Sequence, residues 1–285
     1  MSVELTIPRS LGASQAAAWF TSWGKAAASP ELTLVLPAGT LLRPSGIALL
    51  AAGIAERRSA GLATSLVQTA GAEDAWLHLQ RIDFFATLVV HTSEPFARHD
   101  PAGRFVPLRR ITDARIAREL AEESAACLET QLPHLPSSPL RMARFVFEEL
   151  GVNIVQHSDR SETGFGVLQS FPTGLEIAFA DRGIGFLASL QKNPELEGRI
   201  TDDGEALQLA LGKGLTGTAA PRRNMGLGLG LLQDFADRLG GDLWLASGAS
   251  LVRRRTVAGL RTTTVHACDP WRGSWICLEA PLEAV

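Results

Sequence analysis

Hydrophobic and polar positions between residues 31 and 90 alternate between strand-like and helix-like spacing. Residues 32–36 and 62–67 are short apolar runs, which are typical of buried strands. Residues 47–58 repeat apolar side chains every three or four positions, as a helix does, and Asp74 is placed to cap a second helix. This β-α-β-α order predicts a small sheet with helices packed on it.

The pattern breaks after residue 90 and then resumes over a longer stretch. Prolines and glycines mark the break, so we divide the chain into a domain at 1–95, a linker at 96–104 and a domain at 105–285. The larger domain is expected to contain strands at 105–111, 164–171, 175–180, 242–246 and 274–278, and a hairpin within 248–272. Its helices are expected at 112–128, capped by Thr112 or Asp113, and at 140–157 and 229–239. Residues 186–225 show no regular spacing and predict a loop.

Composition narrows the possible functions without naming one. The chain has 285 residues, of which 46% are hydrophobic and 20% charged, so packed domains are expected rather than disorder. A net charge of −3 lacks the basic excess of most nucleic-acid-binding proteins, so no nucleic-acid partner is expected. We find no signal peptide, no apolar run of about 20 residues and no metal-binding spacing among the three cysteines. A cytoplasmic protein with no membrane partner is therefore expected.

Candidate chemistry begins on the helix predicted at residues 140–157. Glu149 and Asn153 are four residues apart and His157 follows at the same interval, so a helix places all three on one face. A carboxylate beside a carboxamide can hold a water molecule and a hard cation such as Mg2+. Gly151 is expected to weaken this helix by about 1 kcal/mol relative to alanine. Polar residues exposed on an amphipathic helix would show the same spacing, and for this segment alone that interpretation is simpler.

A second candidate segment is the sequence Asp181-Arg-Gly-Ile-Gly185, which directly follows a predicted strand. A carboxylate at a strand end can accept a hydrogen bond from an amino group such as N6 of adenine. Gly183 and Gly185 would let the backbone approach a flat ring closely. An ordinary turn between a strand and a loop has a similar composition.

A third candidate segment carries glycines at 226, 228 and 230 and leads into a predicted amphipathic helix. Glycines at a helix N-terminus expose backbone N–H groups, and the helix dipole favours anions there. The spacing is neither that of a dinucleotide-binding fingerprint nor that of a P-loop.

The order and spacing of these three segments resemble those of the GHKL superfamily, the ATPases of gyrase, heat-shock chaperone, histidine-kinase and mismatch-repair type. The resemblance covers about residues 105–285 and implies a two-layer α/β sandwich, a mixed sheet with helices on one face. It implies that Glu149 is the general base and that Asn153 binds Mg2+. It also implies that residues 186–225 form a lid over the phosphates. The ATP contacts implied are Asn153, His157, Asp181, Gly183, Ile184, Gly185, Thr216, Gly226, Leu227, Gly228, Leu229, Gly230 and Ser274.

The N-terminal pattern, over about residues 30–90, resembles a STAS domain, the fold of anti-sigma antagonists. In the partner-switching systems of that family, a GHKL kinase phosphorylates a serine of a STAS protein. Ser45 stands at a predicted helix start, where such a serine would lie, but an ordinary N-cap is the simpler interpretation.

Three functions stay open at this point, all with ATP and Mg2+ as cofactors. The first is a regulatory switch of serine-kinase or anti-sigma type that acts on a STAS-type or sigma-factor-type protein. The second is an ATPase whose lid closure controls homodimerisation or partner binding. The third is a nucleotide-binding module without turnover. A sensor histidine kinase is not expected, because His134 lies between prolines rather than on a dimerising helix.

Overall fold

The N-terminal part of the chain folds around a three-stranded parallel sheet. The computed structural model describes residues 2–194, 196, 198–212, 228–257 and 260–282. In chain order the first elements are β1 (Ser2–Thr6), β2 (Ser10–Leu11), α1 (Ala16–Ala26), β3 (Glu31–Leu36), β4 (Leu41–Leu42), α2 (Pro44–Ser59), β5 (Ala63–Gln68), α3 (Glu73–Arg81) and α4 (Phe84–Thr87). The sheet has the order β1-β3-β5, and β2 and β4 form a separate parallel pair. The predicted β-α-β-α order of residues 31–90 is confirmed.

The C-terminal part contains a five-stranded sheet. Its elements are β6 (Phe105–Arg110), α5 (Ala114–Gln131), α6 (Ser137–His157), β7 (Phe165–Phe171), β8 (Gly174–Ala180), α7 (Gly185–Gln191), α8 (Asp203–Ala210), α9 (Gly228–Arg238), β9 (Asp242–Val257) and β10 (Leu260–Pro281). The strand order is β6-β7-β8-β10-β9, and every pair that the described residues form in it is antiparallel. The expectation of a mixed sheet is therefore wrong. Hairpins join β7 to β8 and β9 to β10, and β10 also pairs antiparallel with β8.

Helices cover both faces of the five-stranded sheet, which corrects the expectation of helices on one face. Successive side chains of a strand point to opposite faces. Ile177 and Ile276 belong to the core that includes α5, α6 and α9, whereas Ala178 and Cys277 belong to the core that includes α1 and α2. The layers are thus the parallel sheet, α1 with α2, the antiparallel sheet, and α5, α6 and α9.

Helix α2 lies between the two sheets, and its composition reflects this position. Of its 16 residues, 13 are buried, so apolar side chains surround the helix instead of forming one stripe. On the neighbouring α1, the ring of Phe20 lies 5.2 Å from that of Trp271 and 6.2 Å from that of Trp275, both on β10. One hydrophobic core therefore continues from the N-terminal helices into the C-terminal sheet.

Local sequence signals explain several helix ends. The Asp113 carboxylate accepts hydrogen bonds from the N–H groups of Arg115 and Ile116 at 2.9 and 3.0 Å, so the predicted cap of α5 is confirmed. Asp74 is not a cap, because α3 begins one residue before it, at Glu73. Helix α6 begins three residues earlier than predicted, since a proline in the first turn loses no helical hydrogen bond.

The segment predicted as an irregular loop, 186–225, is partly helical. Helix α7 lies at its N-terminal boundary and α8 lies inside it. Residues 213–227 are outside the described part of the chain. The extra hairpin expected within 248–272 is confirmed by the pairing of β9 with β10. Residues 90–104, which join the two parts, contain turns but neither helix nor strand. Among the described residues, no helix is long and apolar enough to cross a lipid bilayer.

Candidate functional site

Helix α6 carries the first candidate segment and is held between two neighbouring helices. A Cβ atom on Gly151 would lie 2.7 Å from that of Ala117, so this glycine lets α5 approach closely, which accounts for a residue that otherwise weakens a helix. On the other side, the rings of Phe147 and Phe235 meet edge to face at 6.0 Å and join α6 to α9. These contacts set the rotation of α6 about its axis.

Glu149 is buried, with 9% of its surface exposed, and its carboxylate has no hydrogen-bond or ion-pair partner among the described residues. Burial raises its pKa, and the neighbouring charge of Glu148 adds to the increase. A carboxylate with a raised pKa is suited to take a proton from a water molecule or a hydroxyl group.

Asn153 and His157 follow Glu149 along α6 and are half-buried. At a rise of about 1.5 Å per residue, the three side chains extend over about 12 Å of the helix. Burial lowers the pKa of His157, and the nearby Lys192 lowers it further, while Asp159 opposes both. His157 is therefore held in its neutral form, which can both donate and accept a hydrogen bond.

Asp181 directly follows the buried strand β8 and is 3% exposed. Its backbone N–H donates to the carbonyl of Ser274 at 2.8 Å, and its carboxylate accepts a hydrogen bond from the N–H of Gly183 at 2.7 Å. Burial raises the pKa of Asp181 to about 6, while hydrogen bonds from Gly183 and Ser274 act in the opposite direction. Ser274, which the resemblance implies as an ATP contact, thus contacts the carboxylate of Asp181.

The loop after Asp181 packs on the end of α6 without space for side chains. A Cβ atom on Gly183 would lie 2.1 Å from the carbonyl oxygen of Ser158, and the N–H of Ile184 donates to that same oxygen at 3.0 Å. Gly185 has a φ of +78°, a conformation that favours glycine. The structure therefore brings the Asp181 loop and the C-terminus of α6 into direct contact, as a joint site requires.

The third candidate segment is described only in part. Gly228 begins α9, and Leu229 and Gly230 are buried in its first turn, where Leu229 joins the core shared with α6. Thr216, Gly226 and Leu227 lie outside the described residues. The described residues thus place α9 against α6.

Arg182 adjoins the candidate site through contacts that the sequence did not reveal. Its backbone N–H donates to Thr163 Oγ1 at 3.0 Å, and its guanidinium group pairs with Glu56 on α2 at 2.7 Å. The same group lies 4.0 Å above the ring of Trp271. The only signal in the sequence was a charged side chain between Asp181 and Gly183. Its partner, Glu56, lies 126 residues away and could not be identified from the sequence.

Ser45 is fully buried, and it is not the N-cap of α2, because Arg43 holds that position. Its N–H donates to Glu176 Oε1 at 2.7 Å, and its carbonyl accepts from Trp275 Nε1 at 3.2 Å. Its hydroxyl group lies beside the buried thiol of Cys277. In this conformation a kinase has no access to the hydroxyl group.

The donor set on α6 matches the preferences of Mg2+. This ion keeps several water molecules and takes few ligands from a protein, usually together with phosphate oxygens. The carboxamide of Asn153 and the carboxylate of Glu149 are oxygen donors of that kind. Within the described part of the chain, no group of three or more His, Cys, Asp or Glu side chains could hold a metal ion.

No protein-family model matches the sequence, and a search of curated proteins finds no match.

Proposed function

We propose that this chain is a Mg-ATP-binding regulatory protein of GHKL type that acts as a switch on a protein partner. The observation that carries the proposal is the Asp181 carboxylate, which is buried at a strand end, has a pKa of about 6, and belongs to a loop packed on the helix of Glu149 and Asn153.

A buried carboxylate is costly unless its oxygens are paired. Among the described residues no ion pair reaches Asp181, because the adjacent Arg182 is turned toward Glu56. The hydrogen bonds from Gly183 and Ser274 use only part of the capacity of the carboxylate to accept hydrogen bonds. The exocyclic amino group of adenine supplies a further donor in this proposal.

The residues of α6 have separate roles in this proposal. Asn153 would hold Mg2+, and His157 would donate a hydrogen bond to a phosphate oxygen. When bound, the ion neutralises charge on the phosphates. Glu149 removes a proton from the attacking water or hydroxyl group, for which its burial and raised pKa are suited.

The buried hydroxyl group of Ser45 favours a partner outside this chain over phosphorylation of the N-terminal part. Its inaccessibility leaves a separate STAS-type or sigma-factor-type protein as the proposed target. The second candidate function, slow ATP hydrolysis that drives dimerisation or partner binding, is favoured by the raised pKa of Glu149.

Equilibrium binding of a fluorescent ATP analogue, with competition by ATP and GTP, tests the central proposal. We expect ATP to bind with Mg2+ and to compete better than GTP. Asp181→Asn should weaken ATP binding by about 10- to 100-fold, since a hydrogen bond to a charged group contributes about 1.5–3 kcal/mol. Asp100→Asn, in the segment between the two parts, is the control and should bind as the wild type does. Absence of binding by a folded wild-type protein would refute the proposal.

Measurement of ATP turnover distinguishes phosphoryl transfer to a protein partner from hydrolysis of ATP. Incubation with Mg2+ and ATP labelled on the γ-phosphate should give either free phosphate or a labelled protein partner. Glu149→Gln should reduce either product by about 100-fold or more while it leaves binding intact, because a general base contributes about that much to rate. Equal turnover by Glu149→Gln and wild type would remove the role of Glu149 as base.

A further inference from the structure

Glu56 of the N-terminal part forms a largely buried ion pair beside the candidate nucleotide site, and the half-exposed Arg272 lies 3.9 Å from its other carboxylate oxygen. Glu56, near the C-terminus of α2, accepts a hydrogen bond from Arg182 Nε at 2.7 Å. The side chains are 7% and 15% exposed for Arg182 and Glu56, respectively, so water screens this pair little. Arg182 immediately follows Asp181, the residue proposed to contact adenine.

We propose that Glu56 and Arg182 are positioning residues for the base-recognition carboxylate, and that the N-terminal part thereby sets the affinity and base selectivity of the site. This inference rests on the proposed function, because it concerns the regulation of the same site. It assigns a role to the N-terminal part that needs no phosphorylation of Ser45.

The Arg182 side chain is held from two sides. Its guanidinium group contacts the Glu56 carboxylate and the face of Trp271, which is fully buried. Cation–π contact with a desolvated tryptophan and a charge-assisted hydrogen bond are both stronger than their exposed counterparts. Without Glu56, the guanidinium group would lose its hydrogen-bonded counter-charge while it stays buried, and it would have to move toward solvent or toward Asp181.

The backbone around Arg182 has no space to absorb such a movement. A Cβ atom on Gly273 would lie 2.3 Å from the carbonyl oxygen of Asp181 and 2.7 Å from Cα of Arg182, and Gly183 is packed as tightly against Ser158. The N–H of Arg182 is also held by Thr163. A displaced Arg182 therefore displaces the backbone on both sides, including the carboxylate of Asp181.

A second ion pair across the same interface provides a matched control. Arg43, the residue before α2, donates from Nε to Glu176 Oε2 on β8 at 3.0 Å. Glu176 lies five residues before Asp181, about 17 Å away along the strand. Removal of the Arg43 charge thus perturbs the interface without contact with the Asp181 loop.

The experiment compares Glu56→Gln, Arg43→Gln and wild type in the full chain, with affinities for ATP and GTP measured at pH about 7.5, where Asp181 is charged. We expect Glu56→Gln to weaken ATP binding about tenfold, within the range of known couplings between sites, and to bring the ATP-to-GTP affinity ratio close to one. Arg43→Gln should retain both the affinity and the ratio. A loss of stability alone would not change base selectivity, so the ratio separates positioning from a merely structural effect.

Two further variants complete the test. Arg182→Gln combined with Glu56→Gln removes both buried charges, and it should recover part of the ATP affinity that Glu56→Gln loses. If Glu56→Gln does not fold, Glu56→Asp takes its place, because it keeps the charge but retracts it from Arg182, and about a threefold loss is expected.

The outcomes distinguish this inference from the proposed function. Unchanged ATP affinity and base selectivity in a folded Glu56 variant would overturn the inference and leave the ATP site standing. Equal losses in Glu56→Gln and Arg43→Gln would also overturn it, since the effect would then belong to the interface in general. No nucleotide binding by the wild type would overturn the proposed function and this inference with it.

Discussion

At the scale of single residues, Asp181 is held between two opposing effects. Burial disfavours its charged form, whereas hydrogen bonds from Gly183 and Ser274 favour it, and the result is a pKa of about 6. Since a protonated carboxyl group accepts a hydrogen bond less well than a carboxylate, a ligand that donates to Asp181 must bind the deprotonated form better.

The affinity for ATP should consequently depend on pH through Asp181. Above the pKa of about 6 the residue is charged and binding is strongest; below that value the affinity should fall by about tenfold per pH unit as the site binds a proton. Titration of ATP affinity between about pH 5 and pH 8 checks this, with Asp181→Asn as the reference that retains only the titration of ATP and of other groups. Parallel curves for the two proteins would contradict the assignment.

The same pKa affects the stability of the free protein. Because the folded-state pKa lies above the ordinary value of 3.8, the stabilising contribution of Asp181 is fully present below about pH 4 and is lost as the pH rises through about 6. Asp181→Asn should remove this part of the pH dependence. Urea unfolding of both proteins at a series of pH values measures this dependence. If the free energy of unfolding changed equally between about pH 4 and pH 7 in Asp181→Asn and in the wild type, the buried position of the carboxylate would be contradicted.

Gly183 and Gly24 should respond in opposite ways to the same substitution. Gly183→Ala would place a methyl group 2.1 Å from the carbonyl oxygen of Ser158, so we expect it to destabilise the protein by about 3 kcal/mol or more. Gly24 is exposed in α1 with no atom within 4 Å of its missing Cβ, so Gly24→Ala should stabilise by about 1 kcal/mol. Urea unfolding of both variants measures the two values, and a tolerated alanine at position 183 would disprove the tight contact with α6.

At the scale of elements, α2 is capped by a residue of a different sheet. The N-cap position, Arg43, makes no side-chain cap, and Glu176 on β8 instead accepts from the N–H of Ser45 at 2.7 Å. A carboxylate at a helix N-terminus is favoured by the exposed N–H groups and by the helix dipole. The start of α2 is therefore completed by the five-stranded sheet.

Loss of this cap should be costly. Glu176→Ala leaves the N–H of Ser45 unpaired in a buried place and removes the partner of Arg43, so we expect a loss of about 3 kcal/mol in the free energy of unfolding. Glu123→Ala breaks the exposed pair with Arg109 and should cost less than about 1 kcal/mol. Chemical unfolding compares the two, and similar losses would show that Glu176 contributes no more than a surface residue.

The sequence predicted elements where the signal was local. Asp113 caps α5 as expected, and the hairpin of β7 and β8 follows from two apolar runs joined by a short turn. Residues 186–212 were mistaken for a loop because α7 and α8 are short helices with weak periodicity. The all-antiparallel order could not be derived either, since the position of β10 between β8 and β9 depends on long-range pairing.

The candidate site, like the fold, could be predicted where its signal was local but not where it depended on distant residues. Glu149, Asn153 and Asp181 were singled out because spacing on a helix and position after a strand are visible in one segment. The contact of Arg182 with Glu56 was missed, because nothing in one sequence reports a pair formed by residues 126 apart. The burial of Ser45 was missed for the same reason: its cover, Glu176 and Trp275, comes from the other sheet.

At the scale of the whole molecule, a shared core joins the two parts of the chain. Side chains of α1 and α2 and those of β7, β8 and β10 belong to one buried cluster, which includes Trp271 and Trp275. Separation of the parts would expose these tryptophans and the apolar surface of α2 to water, at about 25 cal/mol for each Å2 of apolar area. The two parts should therefore unfold together.

Unfolding in urea should show one transition, with the same midpoint by tryptophan fluorescence and by far-ultraviolet circular dichroism. Phe20→Ala, which removes a ring that is 1% exposed and contacts Trp271, should cost about 3–5 kcal/mol and shift the entire transition. Phe96→Ala, on a half-buried ring of the connecting segment, serves as the milder comparison. A second transition unaffected by Phe20→Ala would show two independent domains.

The position of β10 also has a consequence for the order of events during synthesis. Helix α2 is apolar on all sides and is made long before β10, the strand that fills the gap between β8 and β9. Until β10 leaves the ribosome, the sheet that covers one side of α2 is incomplete, and the apolar surface of the helix faces water. We expect nascent chains that end before β10 to be the form that chaperones bind most strongly.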